Sequence, residues 1–238
     1  MNQLHKIILF SGFSGITVFI GGLLSWYFSK KLGENNFKKE LNHGITAFGG
    51  GIILSALALV LVPKGMKNLS ILPVIIWFVL GSLIFFVIDR ILAKRGGKIA
   101  QLLAMLMDFV PEAIALGAIF ATDTKTGTLL AIFIGLQNLP EAFNSYQDLC
   151  ASNFSAKKTL ILLFVLSFSG IIGSLIGYFF LQDQPEITSS LMLFASGGIL
   201  YLIFEDIAPQ AKLERTWMPA LGANLGFLIG IIGEKLIG

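Results

Sequence analysis

Apolar residues run in eight long blocks, near residues 7–29, 44–63, 70–90, 99–121, 127–149, 159–181, 188–208 and 217–237. Each comes close to the roughly 20 residues that a helix needs to cross the hydrocarbon of a bilayer. Short polar breaks separate them, among them "PKGMKN", "AKRGGK", "TDTKT" and "QDQPE". Inside a membrane the backbone has no water to bond to, so uninterrupted apolar runs of this length predict helices. The chain reads as an all-α integral membrane protein with eight transmembrane helices. No soluble domain, low-complexity tract or long linker interrupts it, and residues 1–238 are taken as one polytopic domain. The first block, Ile7 to Phe28, is long enough to span and lacks a small-residue cleavage site, which predicts a retained helix rather than a signal peptide.

Composition agrees: 55% of residues are hydrophobic and 13% charged, against roughly 25% charged in soluble domains. The net charge of +3 is small, and nothing in its distribution points to nucleic acid. One cysteine, Cys150, excludes an internal disulfide. The placement of Lys and Arg is more informative. Lys30, Lys31, Lys38, Lys39, Arg90, Lys94, Arg95, Lys98, Lys157, Lys158, Lys212 and Arg215 fall on one side of the eight-helix topology, and Lys6, Lys64, Lys67, Lys125 and Lys235 on the other. The positive-inside rule puts the richer side in the cytoplasm and both termini outside, with the plasma membrane, of bacterial type, as the expected location.

Two spans carry matched faults. "MDFVPEAIALG" (Met107 to Gly117) and "LQNLPEAFNSY" (Leu136 to Tyr146) each set a Pro-Glu pair and other polar groups inside an apolar helix. A carboxylate in hydrocarbon is costly, and a mid-helix proline removes a backbone hydrogen bond. Asp108 and Glu112 are four residues apart, as are Gln137 and Glu141, so each pair shares a helix face, and Asn138 borders the second. The only Lys or Arg within the spans are Arg90 and Lys235, at span ends, so these acids have no basic partner at that depth. They must be protonated, hydrated or bound to a cation. Oxygen ligands of this kind suit hard cations such as Mn²⁺, Fe²⁺ or Mg²⁺, whereas zinc sites usually include His or Cys.

The chain also repeats itself. "FGGGIILSALALVLVPKG" (Phe48 to Gly65) and "FASGGILYLIFEDIAPQA" (Phe194 to Ala211) match without a gap at Phe48/Phe194, Gly51/Gly197, Ile53/Ile199, Leu54/Leu200 and Pro63/Pro209. The charge-derived topology runs these two helices in opposite directions, as it does the two Pro-Glu helices. The expected architecture is an inverted repeat, three helices, two central helices and three helices (3+2+3). Transporters use such symmetry, with a midplane site on interrupted helices.

At these residues the sequence resembles the ZIP (Zrt/Irt-like protein) family of divalent metal transporters, whose fourth and fifth helices carry a His-Asn-x-Pro-Glu-Gly type motif. The matching stretches here read Asp108-Phe109-Val110-Pro111-Glu112-Ala113 and Gln137-Asn138-Leu139-Pro140-Glu141-Ala142, and "FEDIAP" (Phe204 to Pro209) resembles the family's His-Glu-Leu-x-Pro pattern. The resemblance implies transport of zinc, iron or manganese toward the cytoplasm, with the metal as substrate and no permanently bound cofactor. The implied ligands are Asp108, Glu112, Gln137, Asn138 and Glu141. The histidines of both motifs are replaced, by Asp108 and Gln137, and Phe109 cannot coordinate, so one principal site is expected. Asp148, Glu205 and Asp206 lie near cytoplasmic span ends, where the resemblance implies an exit path; solvent-facing acids are the alternative.

Gly222, Gly226 and Gly230 at four-residue intervals predict close helix packing, against another helix of this chain or a second copy in a homodimer. The lipid bilayer and the metal ion are the other expected partners. An enzyme is not expected, since neither His-Glu-x-x-His nor Gly-x-Ser-x-Gly occurs and no histidine lies within a span. A ZIP-like sensor or assembly partner that has lost transport is the competing reading.

Overall fold

The computed structural model describes residues 2–31, 36–95, 98–213 and 217–237; the side chains of 36–38, 95, 98–105 and 108 lie outside the described set. The described residues form eight helical rods. The first is α1 (Gln3–Lys31), the third α4 (Ile71–Arg95), the fourth α5 (Lys98–Thr122), the fifth α6 (Thr124–Ala151) and the eighth α11 (Met218–Ile237). The second rod joins α2 (Asn36–Ala56) through a π turn, Leu57–Leu61, to α3 (Val62–Met66). The seventh joins α9 (Pro185–Leu202) through another, Ile203–Ile207, to α10 (Ala208–Ala211). The sixth is broken into α7 (Ala156–Leu166) and α8 (Ser169–Leu181).

Six rods are long and apolar enough to cross a membrane: Gln3–Lys31, Lys39–Met66, Ile71–Lys94, Ala156–Leu181, Pro185–Ala211 and Met218–Ile237. The molecule is an integral membrane protein. Phe109–Thr122 of α5 is a shorter apolar helix, and α6 falls outside the six because its central face is polar. These two carry the Pro-Glu pairs, and both run unbroken through Pro111 and Pro140. The interruptions expected at those prolines occur instead in the second and seventh rods, in π turns that end two residues before Pro63 and Pro209. There the Val62 N–H bonds to the Leu57 carbonyl and the Ala208 N–H to that of Ile203, bonds that span five residues. The wider turn gives the proline ring room beside the carbonyl it would otherwise strike.

The rods pack as two bodies. α1 lies along α6 and touches α7 and α8, while α5 lies along α8. Separately, α2 lies along α11 and α4 along α9. The bodies meet where α2 crosses α6 and α5 crosses α9. In the second body, Gly51 and Phe48 face the Ala223 carbonyl and Gly226, just as Gly197 and Phe194 face the Phe78 carbonyl and Gly81. At all four glycines a Cβ would drive into a backbone carbonyl of the neighbour, so only glycine permits the approach. α4 and α11 otherwise turn apolar side chains outward, with 11% of each span's central window buried. In water that would be an aggregation surface; in a membrane it faces lipid.

Both ends of the described chain lie at the end of the bundle where α5 meets α6. Gln3 Nε2 donates to the carbonyls of Phe120 (3.1 Å) and Ala121 (2.6 Å), and Gly233 sits against Phe133 and Leu129.

Candidate functional site

The site lies between α5 and α6, in the middle of the bundle. Glu112 and Gln137 are each only 1% exposed. Gln137 Nε2 donates to Glu112 Oε2 at 2.5 Å, a short buried bond that links the two side chains. With the amide nitrogen on the carboxylate, Gln137 Oε1 points away from that bond. That oxygen is buried and accepts no hydrogen bond among the described residues. Buried acceptors are nearly always satisfied, and an orphan next to a carboxylate is a place for a cation or a proton donor.

Gln137 opens onto a cavity of about 90 Å³ whose wall also carries Glu141, Asn144, Asp148, Asp206 and Gln210. Gln137, Glu141, Asn144 and Asp148 recur on α6 at steps of four, three and four, so one helix face carries a polar stripe from the site to the end where α6 stops. Asp206 comes from the π turn of the seventh rod and accepts a hydrogen bond from Gln210 Nε2. At the mouth, His43 Nδ1 lies 2.7 Å from the Gln210 carbonyl oxygen. Asn144 Nδ2 donates to Thr46 Oγ1, and Asn42 Nδ2 to Gln147 Oε1, both at 2.8 Å, joining α2 to α6. Pro140 packs against Gly49, where a Cβ would lie 2.6 Å from Pro140 Cγ.

Toward the opposite end the site is sealed. Leu57, Val60, Leu61, Leu116, Ile119, Phe133, Ile134, Met192 and Ile199 are all buried and belong to one apolar cluster. The described structure therefore has a polar approach at one end and a plug at the other.

The expected site residues divide accordingly. Glu112 and Gln137 are hydrogen-bonded, and Glu141 shares the cavity wall with Gln137. Asn138 turns to α1, its Nδ2 donating to the Ser14 carbonyl at 3.0 Å. Phe109, at the matching position of α5, turns to the sixth rod, its ring over Gly170, and is 2% exposed. The second position of each motif thus docks its helix onto a neighbour. The Asp108 side chain lies outside the described residues. Asp148 and Asp206 line the cavity, whereas Glu205 projects to another face beside Ser82 and Tyr201. Adjacent helix residues are about 100° apart, so the Glu205-Asp206 pair cannot both face the path. Asp89, which borders Arg90, accepts a hydrogen bond from Tyr201 at 2.9 Å. Sequence reasoning passed over Asn144, Gln210 and Thr46; the stripe on α6 would have revealed the first, while the others reach the cavity only through packing.

Among the described residues no three His, Cys, Asp or Glu side chains form a metal-sized cluster. Glu112 is bonded to Gln137, and Gln137 shares a cavity wall with Glu141; oxygen donors of this kind suit a hard or borderline divalent cation.

The fold defines a polytopic helical membrane protein with a buried carboxylate-amide pair between α5 and α6. The ZIP zinc transporter family model matches residues 95–237, and the chain belongs to that family. It is 28% identical over 149 residues to the zinc transporter GufA of Myxococcus xanthus, covering 61% of this chain and 58% of that protein. It is 23% identical over 168 residues to the zinc transporter ZIP13 of Pongo abelii, covering 66% and 51%, and 22% identical over 152 residues to zipt-7.2 of Caenorhabditis elegans, covering 60% and 33%. The chain thus spans between a third and three fifths of the length of these relatives.

Proposed function

We propose that the chain carries divalent metal cations across the membrane toward the cytoplasm, through one principal site formed by Glu112, Gln137 and Glu141 with Asp108. The observation that carries this reading is the buried Gln137 Oε1, unpartnered among the described residues and fixed beside Glu112 at the head of a polar cavity. Membership of a transporter family and relatives named zinc transporters support it. The oxygen donors favour Mn²⁺ or Fe²⁺ relative to an imidazole site, while Zn²⁺ remains a competitor through its higher intrinsic affinity.

An inverted 3+2+3 repeat is supported by the pairing of the rods. Exchanging the first with the sixth, the second with the seventh, the third with the eighth and the fourth with the fifth maps each main packing pair onto another. The same exchange carries one π turn onto the other and one glycine contact set onto the other. In the charge-derived orientation, the cavity with Asp148 and Asp206 opens to the cytoplasm and acts as the exit. Lys30 over the Trp26 ring at 4.3 Å, at the same end, is the arrangement expected at a headgroup boundary.

Metal uptake into proteoliposomes by the full chain tests the proposal. Glu112→Gln and Glu141→Gln should each cut uptake at least about tenfold, because each removes a charged ligand from a site with few. Uptake unchanged in both variants would place the site elsewhere. A parent that binds metal but carries none would favour the sensor reading.

A further inference from the structure

At the end opposite the cavity mouth, Lys64 Nζ lies 2.8 Å from Asp123 Oδ2. Asp123 caps α6: its Oδ1 accepts from the Thr126 N–H at 3.1 Å and its Oδ2 from the Thr126 hydroxyl at 2.5 Å. The carboxylate is therefore held in one orientation. Burial pushes its pKa up, but the bonds from Lys64 and Thr126 outweigh this and hold the group well below the usual carboxylate range.

The two partners belong to different bodies. Lys64 lies on α3, at the end of the second rod, whereas Asp123 joins α5 to α6 in the other body. This ion pair ties one body to the other. The pair stands on the wall of a second cavity, of about 400 Å³, whose lining includes Lys67, Asn68, Thr122 and Ser189 and whose floor is Ile119 and Met192 of the apolar plug. Asp123 is the one acidic residue on that wall. A divalent cation arriving from this end meets a single carboxylate, already engaged by a lysine, above a closed plug. Entry requires the bodies to part here, and a cation that competes for Asp123 loosens the tie that prevents it.

We propose that Lys64 and Asp123 form a latch that keeps the outer end of the pathway shut in this conformation and must release for a cation to enter. The inference rests on the transport reading, and the experiment separates the two. In a Cys150→Ser background, cysteines replacing Lys64 and Asp123 are bridged with a reducible bis-methanethiosulfonate, and Mn²⁺ uptake into proteoliposomes is measured. Bridging should lower uptake at least about tenfold, with recovery on reduction, since a step that must open is blocked. Uptake that proceeds unchanged through the bridged protein overturns the latch.

A second readout does not need transport. In the same background with Leu116→Cys, which places a thiol inside the plug, the rate of modification by a membrane-impermeant maleimide applied outside is followed. Asp123→Asn and Lys64→Gln should each raise it about two- to fivefold, the shift that an ion pair of this exposure supports. The exchanged pair, Lys64→Asp with Asp123→Lys, should bring it back toward the parent rate. Equal rates in all four proteins overturn the latch, whatever the uptake shows. Accelerated labelling in the two variants, with a parent that carries no metal, retains the latch and rejects the transport reading.

Discussion

Replacing Gln137 by leucine keeps the bulk of a buried side chain while removing its N–H from Glu112 and its free oxygen from the cation. The bond to be lost is short and buried, and to the ionised Glu112 of a metal-bound site a bond of this kind is worth about 1.5–3 kcal/mol. At about 1.4 kcal/mol per tenfold, the metal dissociation constant should rise about 10- to 150-fold, the range expected when the group that orients a ligand is removed. The apo protein should stay folded, because the substitution also removes a buried acceptor that has no partner among the described residues. Calorimetric titration of the purified protein with Mn²⁺ and Zn²⁺ measures the constant, and metal-induced thermal stabilisation checks it independently. At free metal equal to 100 times the parent constant, binding stabilises the parent by about 2.7 kcal/mol; a hundredfold weaker variant retains about 0.4 kcal/mol at the same concentration. An affinity within twofold of the parent, in a folded variant, would refute the assignment of Gln137 to the site.

Three further outcomes follow from other parts of the molecule. Asp108→His combined with Gln137→His should raise preference for Zn²⁺ over Mn²⁺ in a competition assay, because imidazole is the softer ligand; an unchanged ratio in a folded, metal-binding variant removes both positions from selectivity. Asp123→Asn should lower the unfolding temperature by the same amount at pH 8 and pH 5. The folded carboxyl titrates below its ordinary value of 3.8, so its contribution is complete above that value and is lost only as pH falls through the lower folded one; a gap that closes between pH 8 and 5 contradicts the pairing. Gly51→Val and Gly197→Val should each destabilise by at least about 1–3 kcal/mol, since each drives side-chain atoms into a neighbouring backbone carbonyl; thermal unfolding in detergent that matches the parent would show that those contacts are not made.

The class of protein and the identity of the central helices were legible in the residues, because a bilayer imposes a length and a polarity that any spanning helix must show. Glu112, Gln137 and Glu141 stood out for the same reason: polar groups in hydrocarbon are costly enough to need a function. Asp148 and Asp206 were expected near one end of the bundle from their positions in the spans, and both line the cavity there.

What the one-dimensional pattern could not decide was direction. Asn138 and Glu205 look like neighbours of the site in sequence, yet helical rotation of about 100° per residue turns one to the Ser14 carbonyl and the other to Tyr201. Nor do the prolines by themselves say where a helix yields: α5 and α6 continue through theirs, whereas the second and seventh rods widen into π turns ahead of Pro63 and Pro209. The tie between Lys64 and Asp123 joins residues far apart in the chain, and only the packing of two helical bodies brings them within reach. Solvent chooses which residues must be apolar, a local rule written in the sequence; which faces meet is set by close packing across the whole bundle, and that exists only in the folded molecule.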